Sequence, residues 1–186
     1  MKVKLGISNR HVHLCLDDFK VLFGDSELEI DRMLVQPNQF ASNQRVTIMT
    51  PKSKIDNVRV LGPLRSYTQV EISKTDAYSL GLNPPIRNSG DLDSAESITI
   101  VGPNGTITKE CCIIATRHLH ISKEDKANLG FSDKEYVSAT IDGEKPTILK
   151  KVFIKESDDG VLELHLDTDD ANACFVKNGQ EVEVID

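Results

Sequence analysis

The chain has 186 residues, 27% of them charged, with a formal net charge of −7. Its basic residues are scattered rather than gathered into a stripe, so the electrostatic footprint of a nucleic-acid binder is missing. No apolar run reaches the roughly 18 residues of a membrane helix, and the N-terminus enters a β-favouring run at Val3 without a signal-peptide core, so a soluble, cytoplasmic protein is expected.

In chain order, residues 3–8 read as a first strand leading into Asn9-Arg10-His11-Val12-His13. On a strand, residues i and i+2 project to the same side, so two imidazoles separated by one apolar residue converge on one point. An acidic, helix-compatible stretch follows over 16–24. Short strands are predicted over 45–50, 57–61, 68–72 and 97–101, with turns at Gly62-Pro63 and 102–105. After the second of these, Arg65 presents a planar fork suited to phosphate or carboxylate, and within the third Glu71 is a reasonable oxygen ligand. Residues 82–91 read as a long connection that crosses a lobe or divides two.

A second β-favouring run over 113–116 leads into Arg117-His118-Leu119-His120, again followed by an acidic helical stretch, 122–130, with Ser122 as N-cap and Gly130 as stop. Both H-x-H pairs are expected at strand ends. Further strands are predicted over 136–141, 151–154, 161–167 and 181–185. Alternation through 161–167 puts Val161, Glu163, His165 and Asp167 on one face. The segment 6–14 thus echoes 113–121 at an offset of about 107 residues, each copy carrying an arginine and an H-x-H. The spacing of strands and turns predicts a mainly β protein with short helices, built as two small β-barrel domains related by an internal repeat.

The chain has only five histidines, four of them in the two pairs and the fifth, His165, in a similar strand setting. That concentration points to metal. Zinc is the first choice for imidazole ligands without redox duty, and catalytic zinc keeps three protein ligands and an open position. Five imidazoles and one carboxylate would complete two such sites. The four cysteines have no C-x-x-C spacing, and Cys111 and Cys112 point to opposite faces of a strand, so they are read as reduced and mostly buried.

Five separated segments resemble the PduL-type phosphotransacylases, also called phosphate propanoyltransferases. These are 8–14, Gly62-Pro63-Leu64-Arg65 followed by 68–73, Arg87 with Ser89-Gly90, 114–120 and 165–173. The resemblance covers nearly the whole chain. It implies an acyltransferase that exchanges coenzyme A for phosphate on short acyl groups such as acetyl and propanoyl. It implies a two-zinc site, with His11, His13 and Glu71 around one ion and His118, His120 and His165 around the other. Arg65 would bind phosphate as the catalytic arginine, and Ile7, Ser8, Asn9, Lys52, Arg59 and Asn172 would contact coenzyme A. The implied fold is a pair of barrels in which residues 1–9 join 117–186 and residues 10–116 make the other, with a homodimer as the assembly. Family members packaged into microcompartments carry an N-terminal extension absent here, so a free cytosolic form or a trimmed one is expected, without a shell partner. The competing classes are a zinc-dependent thioester hydrolase, in which water replaces phosphate as nucleophile, and a metal-binding module that turns nothing over.

Overall fold

The computed structural model describes residues 1–185. The described residues form fourteen strands and four short helices. β1 (Lys2–Ser8), β2 (His11–His13), α1 (Leu16–Phe23), β3 (Ile30–Met33), β4 (Phe40–Met49), β5 (Lys54–Gly62), β6 (Gln69–Glu71), α2 (Lys74–Leu80), β7 (Ile86–Arg87), β8 (Glu96–Val101) and β9 (Thr106–Ala115) come first. They are followed by β10 (His118–Ser122), α3 (Lys123–Asn128), β11 (Tyr136–Ile141), β12 (Thr147–Ser157), β13 (Glu163–Asp167), α4 (Thr168–Cys174) and β14 (Glu181–Ile185).

The chain divides into two compact units, one of Met1–Asn9 with Thr116–Asp186, the other of Arg10–Ala115. In the first, β1-β13-β10-β12-β11-β14 close into a barrel. In the second, the pairings β9-β6-β2-β5-β4-β8 return to β9 and close a ring of six, with β3 added at β4 and β7 at β9. The two rings have one topology. β1 is parallel to β13 as β9 is to β6, β13 antiparallel to β10 as β6 is to β2, and β10 parallel to β12 as β2 is to β5. The remaining three pairings of each ring are all antiparallel.

This correspondence explains the echo in the sequence. β1 and β9 are the first strands of the two repeats, and each completes the barrel formed by the rest of the other repeat. The interior of each barrel is filled by the inward half of the alternation: Val12, Val46, Ile48, Val60, Ile98 and Ile100 in one, Leu5, Leu119, Ile121, Ile141, Val152 and Leu164 in the other. Full burial of such side chains contributes about 1.5–3 kcal/mol each.

The pairing makes two readings of the sequence definite: the H-x-H pairs stand at the starts of strands, and residues 82–91 lie within one unit. The H-x-H pairs do not end the apolar runs before them. β1 stops at Ser8 and β9 at Ala115, and each pair opens a new strand in the next barrel. The stretch 82–91 does not divide two lobes: it carries β7, paired in parallel with β9 inside the second unit.

Candidate metal sites and a tethered arginine

Each donor set arises on one antiparallel pair of strands. In the second unit, β2 lies against β6 with His11 opposite Glu71 and His13 opposite Gln69. His11, His13 and Glu71 are all buried. The His11 Nε2 stands 3.4 Å from one Glu71 carboxylate oxygen and the His13 Nε2 3.9 Å from the other. In the first unit, β10 lies against β13 with His118 opposite His165 and His120 opposite Glu163. The ring centroids of His118, His120 and His165 are 4.6–5.1 Å apart.

In both sets one ligand atom from each residue lies within 4.8 Å of the others. The donors fit a zinc ion chemically, since two histidines with a glutamate, and three histidines, are both ligand sets of catalytic zinc. One imidazole is already oriented for the task. The His118 Nδ1 is 2.8 Å from the Thr116 carbonyl, which can only accept, so the proton sits on Nδ1 and the lone pair on Nε2, 3.1 Å from the His120 Nε2.

The arginine before each pair ties the ligand-bearing strands to a helix. Arg10 forms a bidentate pair with Asp76 at 2.9 and 2.8 Å. Asp76 is the N3 residue of the capping box that starts α2, where the Ser73 hydroxyl accepts from the Asp76 N–H. The hydrogen bond that Arg10 donates to the Asp76 carboxylate is the largest influence on its guanidinium and holds it above its ordinary range. In the other unit Arg117 bonds Asp170 at 2.9 Å, and Asp170 N–H donates to Asp167, the N-cap of α4. Burial is the largest influence on the Asp170 carboxyl and raises it, against the lowering effect of Arg117.

Arg65 lies on the turn after β5, where the Gly62-Pro63 peptide is cis and Gly62 packs flat against the Phe40 ring with no room for a Cβ. Its Nη1 donates to the Tyr67 hydroxyl at 2.9 Å and the Ser89 hydroxyl at 3.0 Å. Ser89 donates to Glu71 at 3.1 Å, and the fully buried Gln69 donates to Glu71 at 2.6 Å and Ser89 at 2.9 Å. The Gly90 N–H donates to the Gln69 amide oxygen at 2.8 Å. One hydrogen-bonded chain therefore joins the arginine to the carboxylate of the donor set. Among the described residues, the Nε and Nη2 of Arg65 make no hydrogen bond, leaving one edge of the guanidinium for an anion.

The other six residues are spread over both units. Ile7 and Ser8 end β1, exposed Asn9 follows them, and exposed Asn172 lies on α4, all in the first unit. Lys52 and Arg59 belong to the second. Lys52 donates to the Tyr78 carbonyl at 2.9 Å and stands 5.0 Å over its ring, while Arg59 pairs with Asp31 at 2.6 Å. The sequence reading assigned no role to Gln69, Tyr67, Asp76 or Asp170. Its one available signal was the arginine before each H-x-H.

Two similar barrels, each bringing together three residues that could hold a metal ion, one of them with a tethered arginine beside the set, suit a transferase more closely than a binding module. Residues 4–177 match the family described as phosphate propanoyltransferase, and the chain belongs to that family of acyltransferases. It is 46% identical to the phosphate propanoyltransferase of Thermotoga maritima over 185 residues, 98% of this chain and 88% of that protein. It is 48% identical to the phosphate propanoyltransferase of Priestia megaterium over 179 residues, 95% of this chain and 82% of that protein. The protein of the same name from Rhodopseudomonas palustris is 40% identical, covering 98% of this chain and 82% of its own.

Proposed function

We propose that this protein interconverts a short-chain acyl-CoA plus phosphate with an acyl phosphate plus coenzyme A, holding two zinc ions per chain. His11, His13 and Glu71 would hold one, and His118, His120 and His165 the other. The observation that carries the reading is the hydrogen-bonded chain from Arg65 through Ser89 to Glu71, which ties an anion-binding fork to a metal donor. A zinc ion in such a donor set supplies a Lewis acid for developing oxygen charge and a soft partner for a thiolate.

Arg65 does the work of orientation. Tyr67 and Ser89 fix its Nη1, so the remaining edge of its fork can bind phosphate and hold one oxygen for attack on the thioester carbonyl. The new carbon–oxygen bond forms as the carbon–sulfur bond breaks, and the sulfur leaves with its electron pair. Phosphate is already anionic near neutral pH, so the step needs no strong general base. Ile7, Ser8, Asn9, Lys52, Arg59 and Asn172 would contact coenzyme A. A reducing, cytoplasmic setting is supported by four free cysteines, three of them buried, and a homodimer by the family resemblance.

Metal analysis of the purified protein tests the site. About two zinc ions per chain are expected, falling to about one when His11 and His13, or His118 and His120, are replaced by alanine. Full occupancy in either double variant would overturn the ligand assignment.

A further inference from the structure

We infer that in each barrel the residue two positions before the third metal donor is its positioning residue: Gln69 for Glu71 and Glu163 for His165. This rests on the metal reading above. The shared topology makes the two pairs equivalent, since Glu71 faces His11 and Gln69 faces His13 on β6, as His165 faces His118 and Glu163 faces His120 on β13.

The residue types are exchanged between the barrels in a complementary way. Where the donor is a carboxylate, its neighbour is an amide whose N–H it accepts, Gln69 Nε2 to Glu71 Oε1 at 2.6 Å. Where the donor is an imidazole, its neighbour is a carboxylate that accepts from the ring, His165 Nε2 to Glu163 Oε2 at 2.7 Å. Each barrel keeps one N–H···O bond and one carboxylate. A glutamate at 69 would instead set two carboxylates side by side, and a glutamine at 163 would lose the ionised acceptor.

The bond in the first unit also sets which ring nitrogen is available. With Glu163 as an ionised acceptor, a neutral His165 carries its proton on Nε2 and its lone pair on Nδ1. A Cβ on Gly6 of β1 would come 2.7 Å from the His165 Cδ2 and 2.8 Å from its Nε2, so this edge of the ring rests on β1. β1 and β10 flank β13 on opposite sides. β10, on the side away from β1, carries His118 and His120, and with Nε2 engaged by Glu163 it is Nδ1 that is left for the ion. Glu163 is itself buried and lies against the same Gly6, 3.0 Å from the position of that Cβ. It holds both the tautomer and the tilt of the ring, as carboxylate partners of metal-binding histidines do.

The test reads each site alone. In a His11→Ala/His13→Ala background, zinc affinity is measured by competition with a chromogenic chelator, and the cobalt(II) form by its visible absorption. Glu163→Ala should weaken zinc about 10–100-fold with the cobalt band unchanged in position and intensity, because the ligands are the same. Glu163→Gln should lose less, since its amide oxygen can still accept. Affinity within twofold of the background would overturn the inference. So would a shifted cobalt band, which would make Glu163 a ligand itself. If Glu163→Ala does not fold, Gln69→Met in a His118→Ala/His120→Ala background tests the same rule, with the same loss expected and affinity within twofold as the contradiction. A background protein that binds neither metal would instead defeat the metal reading on which the inference stands.

Discussion

Arg65 shows how a common residue becomes a specific one. A solvated arginine loses side-chain freedom when it binds an anion, but here Tyr67 and Ser89 have already fixed one arm of the fork. Replacing Arg65 by alanine should therefore raise the KM for phosphate at least about tenfold, in line with the roughly 1.5–3 kcal/mol of a hydrogen bond to a charged group, while the KM for coenzyme A changes little. An unchanged phosphate KM in steady-state assays would remove Arg65 from the anion site. At this scale the four paired histidines were legible as candidate donors because histidine is rare in the chain and concentrated at i, i+2 spacing, while His165 was singled out by its strand setting and Glu71 as an oxygen ligand near Arg65. Ser89 and Gln69 were not, because their part depends on a loop meeting β6, and nothing local in the sequence encodes that meeting.

At the scale of elements, short strands and helices of six to eight residues are marginal alone and hold position through their contacts. Asp18 of α1 is such a contact. Its carboxylate accepts from Lys109 of β9 at 2.6 Å and from the Thr68 hydroxyl just before β6. Burial raises the Asp18 carboxyl, but hydrogen bonds from Lys109, Thr68 and Cys15 together outweigh it and hold the group below its ordinary value of 3.8. A carboxyl lowered in the folded state contributes stability that is complete above the unfolded value and is lost as pH falls through the folded one. Asp18→Asn should thus be less stable than the parent at pH 7, with the difference shrinking below about pH 4. Urea midpoints measured across this range check it, and a difference that stayed constant with pH would contradict it. The strands over 136–141 and 181–185 were legible from alternation and their flanking turns. β3 and β7 were not: β3 is exposed throughout and β7 is only two residues long, so neither carries a buried face to pattern.

At the scale of the whole molecule, the chain folds as two barrels of one topology that have exchanged their first strands. The second barrel draws all its strands from the continuous segment Arg10–Ala115, whereas the first needs β1 from the far end of the chain. Residues 10–115 produced alone should unfold cooperatively, and residues 116–186 alone should not. Fusing residues 1–9 after 186 should restore the latter, because β1 and β14 are antiparallel neighbours and the Met1 amine donates to the Val184 carbonyl at 2.8 Å. Thermal melts of the three segments decide it, and a cooperative melt of 116–186 without β1 would show that the strand is dispensable. The repeat was visible in the sequence at its H-x-H motifs, but elsewhere only pairing order preserves it, because Glu71 and His165 occupy one register position with different side chains.

Whether phosphate is the acceptor of an acyl group from coenzyme A is decided by thiol release from acetyl-CoA and propanoyl-CoA with and without phosphate. Release that depends on phosphate, with acyl phosphate formed in equal amount, is the result expected. Release at the same rate in phosphate-free buffer would make water the nucleophile and the protein a thioester hydrolase, contradicting the transferase assignment.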